Sequence, residues 1–266
     1  MRKEVMSKKV ALVTGAGHRT GKEIAKYLCQ NGYETAIHFN TSREDAESTV
    51  SEIVAAGGRA FALQADLAEE SSIEKLIGDV YENAGQLDLL VNNASVFWQE
   101  HFPDFATQDL DLAWKINCRA PILLTRAFYR RAKDAGTTGV VVNVVDQKVK
   151  DNFNRDHFSY TVAKTAIGNL TQMLAISAEP VLRINAVFPG LMLRSDNQTD
   201  ADFEYASRTA NLLGQAATPR DLASAILLLT APSFTGTDFV VDAGQNLIPV
   251  TQDVIYTHRS PGNGGA

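Results

Sequence analysis

The sequence predicts an α/β fold: a single domain on a doubly wound parallel sheet of about seven strands, with helices on both faces. Three observations carry that expectation. Short apolar runs alternate with longer amphipathic ones along most of the 266 residues, as repeated strand-helix-strand units require. The run GVVVNVV (139–145) is apolar without alternation, the pattern of a strand buried on both faces. A glycine-rich turn, TGAGHRTG (14–21), joins the first apolar run to the first helical one, where such a sheet opens a helix toward an anion.

The elements follow in order. KVALV is the first strand, with a helix from about Thr20; ETAIHF is the second, with a helix from about Glu44; RAFALQAD is the third, with a helix from about Ser71; LDLLVNN is the fourth. A helix at 110–132 precedes GVVVNVV, a helix at 160–178 precedes LRINAVF, and a helix at 220–230 precedes DFVVDAG. Right-handed crossovers distribute these helices over both faces. The stretch 191–217 is polar, partly helical and too long for an ordinary connection, so it reads as a substrate loop or lid. Residues 1–250 form the domain, and 251–266 read as an extension, mobile or at an oligomer interface.

Composition narrows the function. Hydrophobic residues make up 45% and charged residues 21% of the chain, with a formal net charge of -6, which argues against a surface that tracks nucleic-acid phosphates. Cys29 and Cys118 lie in helical stretches and outside any Cys/His cluster, so they read as buried thiols and no metal is expected. The basic start MRKEVMSKKV lacks the apolar centre of a secretory signal, and no run reaches the length of a membrane span. A cytoplasmic protein with a small-molecule partner is the expectation.

Within the turn, Gly15, Gly17 and Gly21 let backbone N–H groups approach a pyrophosphate at a helix N-terminus, with Thr14, His18, Arg19 and Thr20 beside them. Cofactor preference is read at the end of the second strand, where a carboxylate to the ribose 2′-OH marks NAD. Here HFNTSRE supplies His38, Asn40, Thr41, Ser42 and Arg43, and the first carboxylate is Glu44. Hydroxyls and an arginine suit a 2′-phosphate, so NADPH is the expected cofactor. Thr41 or Ser42 equally suits an N-cap for the following helix.

Tyr160 and Lys164 stand four apart in YTVAK, hence on one helix face. An ammonium beside a phenol lowers its pKa and makes it a proton donor and acceptor near neutrality.

With TGAGHRTG, NNAS (92–95), Asn117 in KINCRAP, YTVAK and FPG (188–190) in order along nearly the whole chain, the sequence resembles the short-chain dehydrogenase/reductase family, whose fold is Rossmann-type. That family usually has a serine about a dozen residues before the tyrosine. Here NVVDQK places Asp146 at that position. Arginine in the glycine loop, aspartate for serine and an aromatic soon after NAS, here Phe97, together resemble the branch of pteridine reductases and dihydromonapterin reductases.

The resemblance implies an NADPH-dependent reductase of a pterin, dihydropterin or dihydrofolate-like ring, and a homotetramer. Asp66 and Leu67, Asn93, Ala94 and Ser95, and Pro189 and Gly190 match cofactor-contacting positions, with Tyr160 and Lys164 at the nicotinamide ribose. The pterin would lie between nicotinamide and Phe97, near Ser95, Arg19 and Leu191, with Asp146 and Tyr160 at the reacting side. Asn117 would steady its helix and a relay water. Reducing a C=N bond leaves a ring nitrogen to protonate, and a buried carboxyl with a raised pKa could supply that proton.

Alternatives stay open. Phe97 also suits a core position, Ser95 a turn, and Asp146 a loop brace. Lys148, Asp151, Arg155 and His157, in the charged segment before Tyr160, belong either to solvent or to recognition of a substituent. Tyr256, His258 or Arg259 of a neighbouring subunit could approach the site. A carbonyl substrate (ketone, 3-oxoacyl thioester or sugar) is the second reading, and a non-catalytic NADP(H)-binding regulatory protein the third.

Overall fold

Apolar runs that cannot alternate must be covered on both faces, and here seven of them pair in one all-parallel sheet. In the computed structural model, which describes residues 9–260, the strands are β1 (Lys9–Val13), β2 (Tyr33–Phe39), β3 (Ala60–Gln64), β4 (Leu89–Asn92), β5 (Gly139–Val144), β6 (Leu182–Pro189) and β7 (Asp238–Val241). Their spatial order is β3-β2-β1-β4-β5-β6-β7. The basic start through residue 8 and the tail residues 261–266 lie outside the described residues.

The order reverses direction at β1, which pairs with β2 on one side and β4 on the other. Crossovers leave that point toward opposite faces, so a crevice opens at the strands' C-terminal ends. Val13 pairs with Val91, and Asn92 with Asn143. The segments after β1, β4 and β5 therefore emerge side by side, and they carry the glycine turn, Phe97 and Asp146.

Helices α1 (Arg19–Gln30), α2 (Arg43–Ala55) and α3 (Glu70–Ala84) connect the first four strands. The helical stretch after β4 begins at Thr107 and is broken: α4 (Thr107–Trp114) and α5 (Ala120–Asp134) are joined by a π-helical turn, Lys115–Arg119. Pro121 has no N–H to return to the carbonyl four residues back, which accounts for a departure from α geometry there. Next come α6 (Phe158–Ser177), α7 (Asp200–Thr209) inside the predicted substrate loop, α8 (Pro219–Leu228) and the short α9 (Val254–Thr257).

Alternate strand residues feed opposite faces. Leu12, Leu90 and Val141 pack with Leu76 and Ile77 of α3 and Phe128 of α5, while Val13, Val91 and Val142 pack with Ile24 of α1 and Ile226 of α8. One polar chain crosses this apolar interior: Asn92 Nδ2 donates to Asn143 Oδ1 (2.8 Å), and Asn143 Nδ2 to Thr171 Oγ1 (3.0 Å). It fixes α6 against the sheet, because each of those buried polar groups would be costly without its partner. Among the described residues, no helix is long and apolar enough to cross a membrane, and no cluster of His, Cys, Asp and Glu is placed to hold a metal.

Candidate active site

The glycine turn is shaped by backbone contacts. Gly15 has φ +63°, and a Cβ there would lie 2.9 Å from the Ala94 Cα. At Gly21 a Cβ would meet the Gly15 carbonyl oxygen and come within 2.6 Å of Asn93 Nδ2. Thr14 Oγ1 accepts the N–H groups of Asn93 (2.9 Å) and Ala94 (3.0 Å), and Asn93 Nδ2 donates to the Thr14 carbonyl (2.8 Å). Asn93 and Ala94 thus hold the turn against the end of β4. This bare backbone at the start of α1 fits a pyrophosphate.

His38, one of the predicted cofactor contacts, lies beneath this turn and is fully engaged with it. Its Nδ1 accepts the Gly15 N–H (3.0 Å), so Nε2 carries the proton and donates to the Ala65 carbonyl (3.1 Å). Burial lowers its pKa to about 4 and keeps the ring neutral. It braces the loop that would receive a cofactor.

Arg19 occupies the left-handed region, with φ +53°, a conformation that costs a side-chain-bearing residue about 1–2 kcal/mol. Its exposed guanidinium donates to the Arg194 carbonyl (3.1 Å), tying the glycine turn to the 191–217 segment. His18 and Thr20 flank it, and His18 lies 3.7 Å from Asp45 in an exposed pair. At the end of β2, Asn40 and Thr41 are exposed. Ser42 takes the N-cap position of α2, but its hydroxyl makes no capping bond, so it retains its capacity for a ligand. Beyond β3, Asp66 Oδ1 turns back to the Ala68 N–H (2.9 Å), and Leu67 is buried. Pro189 and Gly190 close β6 beside Asp242 and Gln245, and Leu191 donates its N–H to Gln245 Oε1 (2.8 Å).

The reacting side gathers Asp146, Tyr160 and Lys164. Tyr160 donates its phenol proton to Asp146 Oδ2 (2.7 Å), while Asp146 Oδ1 accepts the Lys148 N–H (2.8 Å). Asp146 therefore braces its loop and engages the tyrosine with separate oxygens. Lys164 Nζ donates to the Val144 carbonyl (2.7 Å) and sits 5.6 Å from the Tyr160 ring centre. Burial lowers the Lys164 ammonium to about 8, against the opposing charge of Asp146.

The expectation that Lys164 lowers the Tyr160 phenol is corrected here. Burial first, then the charge and hydrogen bond of Asp146, hold the phenol well above its ordinary range. A carboxylate placed for a serine reverses the sign of the local field.

Phe97 is half exposed at 54%; its ring centre lies 5.8 Å from that of Tyr160 and 5.4 Å from that of His157. That exposure sets the core alternative aside. Ser95 is exposed beside it. Asn117, in the π-helical turn, accepts the Val96 N–H (2.9 Å) and donates to the Val96 carbonyl (2.8 Å). Its amide clamps the segment between Ser95 and Phe97 to this turn.

With this geometry in hand, comparison with known proteins decides the family. The profile of the short chain dehydrogenase family matches residues 9–204. The chain belongs to the short chain dehydrogenase family. The FolM alternative dihydrofolate reductase 1 of Brucella canis, solved with NADP, superposes at a TM-score of 0.85 and 32% identity, covering 92% of this chain and 96% of that one. A probable tetrahydroxynaphthalene reductase of Zymoseptoria tritici is 28% identical over 84% of this chain and 88% of its own. Versicolorin reductase stcU of Emericella nidulans is 31% identical over 74% of each.

This short chain dehydrogenase, an oxidoreductase by family, carries functional neighbours that sequence reasoning missed. Glu100 Oε1 accepts the Ser159 N–H (2.6 Å) at the start of α6, supplying from 59 residues away the cap that His157, at the N-cap with no capping bond from its side chain, does not provide. Its only sequence signal is a carboxylate in an otherwise aromatic stretch. In the charged segment, Asp151 and Arg155 are exposed, whereas Lys148 and His157 are buried at 2% and 3% exposure. Lys148 pairs with Asp253 (3.0 Å), and His157 Nδ1 is 2.7 Å from the Trp98 carbonyl.

The described part of the extension packs on its own chain. Residues 253–260 are hydrogen-bonded within their own chain: the Tyr256 hydroxyl lies 3.4 Å from His157 Nε2, His258 Nδ1 lies 2.8 Å from Thr209 Oγ1, and Arg259 pairs with Asp202 (3.1 Å). Asp202 also accepts the Ser260 N–H (3.0 Å) and forms the capping box of α7 with Thr199. These bonds, that of Ser260 foremost, hold its carboxyl well below the usual range. Residues 256–260 thereby join α7 to the charged segment.

Proposed function

We propose that this oxidoreductase is an NADPH-dependent reductase of a pteridine ring, acting on a pterin, a dihydropterin or a dihydrofolate-like compound. The observation that carries the reading is the hydrogen bond from Tyr160 to Asp146 Oδ2 (2.7 Å) beneath an exposed Phe97. When bound, the cofactor would supply hydride from nicotinamide C4. The Tyr160–Asp146 pair shares one proton that a ring nitrogen can take, and no alkoxide arises for a serine to stabilise. Phe97 offers a face on which a planar ring can stack. Lys164 would hold the nicotinamide ribose, and its ammonium balances the carboxylate of Asp146.

NADPH is supported by Asn40, Thr41, Ser42 and Arg43 at the 2′ position, where Ser42 has no capping bond, and by the NADP in the Brucella canis protein. That protein's dihydrofolate reductase name supports the substrate class. Spectrophotometric assay of NADPH and NADH against dihydrobiopterin, dihydromonapterin and dihydrofolate tests both points. Faster turnover with NADPH and one of these pterins is expected; no turnover across the panel rejects the substrate class.

The fungal relatives' names support a second reading, a hydroxynaphthalene-type aromatic carbonyl compound, for which Phe97 would serve equally. A carboxylate near a developing alkoxide opposes it. If Asp146→Ser improves ketone reduction, this second reading prevails. A homotetramer belongs to the proposal too: Trp114, Met173 and Ile176 leave apolar surface exposed on α4 and α6. Light scattering on the purified protein checks it.

A further inference from the structure

The loop that carries Asp146 is held mainly by the other end of the chain. Asn152 Nδ2 donates to the Ile248 carbonyl (3.1 Å), and its Oδ1 accepts the Val250 N–H (3.2 Å). The Arg155 N–H reaches the Thr251 carbonyl (3.2 Å). Asp156, 1% exposed, accepts the Asp253 N–H (2.6 Å) and meets His101 Nε2 (2.6 Å).

Lys148 joins this scaffold to the reacting pair. Its backbone N–H is bound to Asp146 Oδ1 (2.8 Å), its ammonium to Asp253 Oδ2 (3.0 Å), and Nζ lies 5.7 Å from the Tyr160 ring centre. An ammonium so deeply buried is costly unless paired. Nζ is already within 5.7 Å of the Tyr160 ring centre, so an ammonium released by Asp253 and turning toward Asp146 would compete for the carboxylate that accepts the phenol proton. Asp253 is itself fixed, since its Oδ1 caps α9 at the Ile255 N–H (3.2 Å). Burial pushes its carboxyl up, but Lys148 and then His157 outweigh that and leave it lowered, in keeping with an ionised partner.

We infer that Asp253, in the C-terminal segment of the same chain, is a positioning residue for the reaction: it keeps the Lys148 ammonium paired and off the Asp146 carboxylate, and so keeps the Tyr160–Asp146 hydrogen bond in register. The inference rests on the reading of Asp146 and Tyr160 as the proton-transferring pair. It does not depend on which ring is reduced.

The test compares the wild type with Asp253→Asn, Asp253→Glu and the double variant Asp253→Asn, Lys148→Met, using dihydrobiopterin and, independently, 9,10-phenanthrenequinone as oxidants of NADPH. Asp253→Asn is expected to lower kcat by roughly 10- to 100-fold, the scale of a small misplacement of reacting groups, with the Kd for NADPH changed less than about twofold. Asp253→Glu, which keeps the charge, and the double variant, which removes the stranded cation, should each recover most of that loss. A structural role alone would instead make kcat follow the melting temperature across all three.

Amide hydrogen exchange at Lys148, read without any substrate, should be about tenfold faster in Asp253→Asn, with the Gly15 turn unchanged. Should Asp253→Asn not fold, the double variant and Asp253→Glu carry the same comparison. Turnover of the quinone but not the pterin rejects the substrate class and leaves this test intact. Unchanged kcat together with unchanged Lys148 exchange overturns the inference, as does a double variant no better than Asp253→Asn when both are folded.

Discussion

The turn after β1 and the loop after β5 both end at the site, yet one is held by backbone groups and the other by charges. Around Gly15 and Gly21 the constraints are close approaches of main chain, the hydroxyl of Thr14 and a neutral histidine. Around Asp146 they are a phenol, two lysines and a carboxylate 107 positions further on (253 minus 146). A site built this way is held by close packing and neutral hydrogen bonds. A charge-built site needs partners from elsewhere in the fold, and single substitutions there act through groups left unpaired.

The largest effect should come on the charged side. Tyr160→Phe or Asp146→Ala is expected to reduce kcat by about 10²–10⁴-fold, the usual contribution of a positioned proton donor. NADPH affinity, set on the other side, should stay near wild type. Stopped-flow kinetics with fluorescence binding separates the two, and equal losses in both would erase the contrast.

Acid should divide the two regions by pH. His38 is neutral with its pKa lowered to about 4, so its stabilisation is complete above the unfolded value of about 6.5 and is lost as pH falls toward 4. The difference amounts to an order of 3 kcal/mol. Asp202 is lowered as well, so its contribution is present above the ordinary carboxyl value of about 3.9 and disappears only below that. Melting temperature against pH should therefore fall first through the glycine turn and later through the tail. Replacing His38 with Asn should remove the upper limb alone; an unaltered profile refutes the assignment.

A smaller effect is expected at Gly21. Its Cβ would press on the Gly15 carbonyl and on Asn93 Nδ2, so Gly21→Ala should destabilise by about 1–3 kcal/mol and weaken NADPH binding. Chemical denaturation with a binding titration measures both. At Arg19 the backbone and side chain pull in opposite directions. Arg19→Gly should relieve about 1 kcal/mol of left-handed strain while releasing the Arg194 carbonyl and raising the KM for substrate a few fold. If stability and KM both stay put, Arg19 has neither role.

The sheet was legible because continuous apolar runs admit few other arrangements, and Val140 to Val142 are buried as their pattern demands. Tyr160 and Lys164 were legible because residues four apart on a helix share a face and because the pair follows the fifth strand of a dinucleotide fold, in register with the other motifs. His38 was named as a cofactor contact, and the folded chain shows both its ring nitrogens bound to Gly15 and Ala65. Nothing in one dimension distinguishes a ring that meets a cofactor from a ring that supports the loop beneath it. Lys148 and His157 read either as solvent-facing charge or as recognition of a substituent, and only the folded chain shows that both are buried.

By itself, then, the sequence determined the strand-helix alternation, the bare glycine turn, the aspartate that replaces serine and the tyrosine-lysine spacing, all of which are short-range regularities. The tertiary structure alone decided that Lys148 is buried, that Asp253 pairs with it, that Glu100 caps α6 and that the phenol of Tyr160 faces a carboxylate. The physical reason is that charge burial depends on the summed environment of groups from distant segments. The field at Tyr160 is therefore a property of the folded chain.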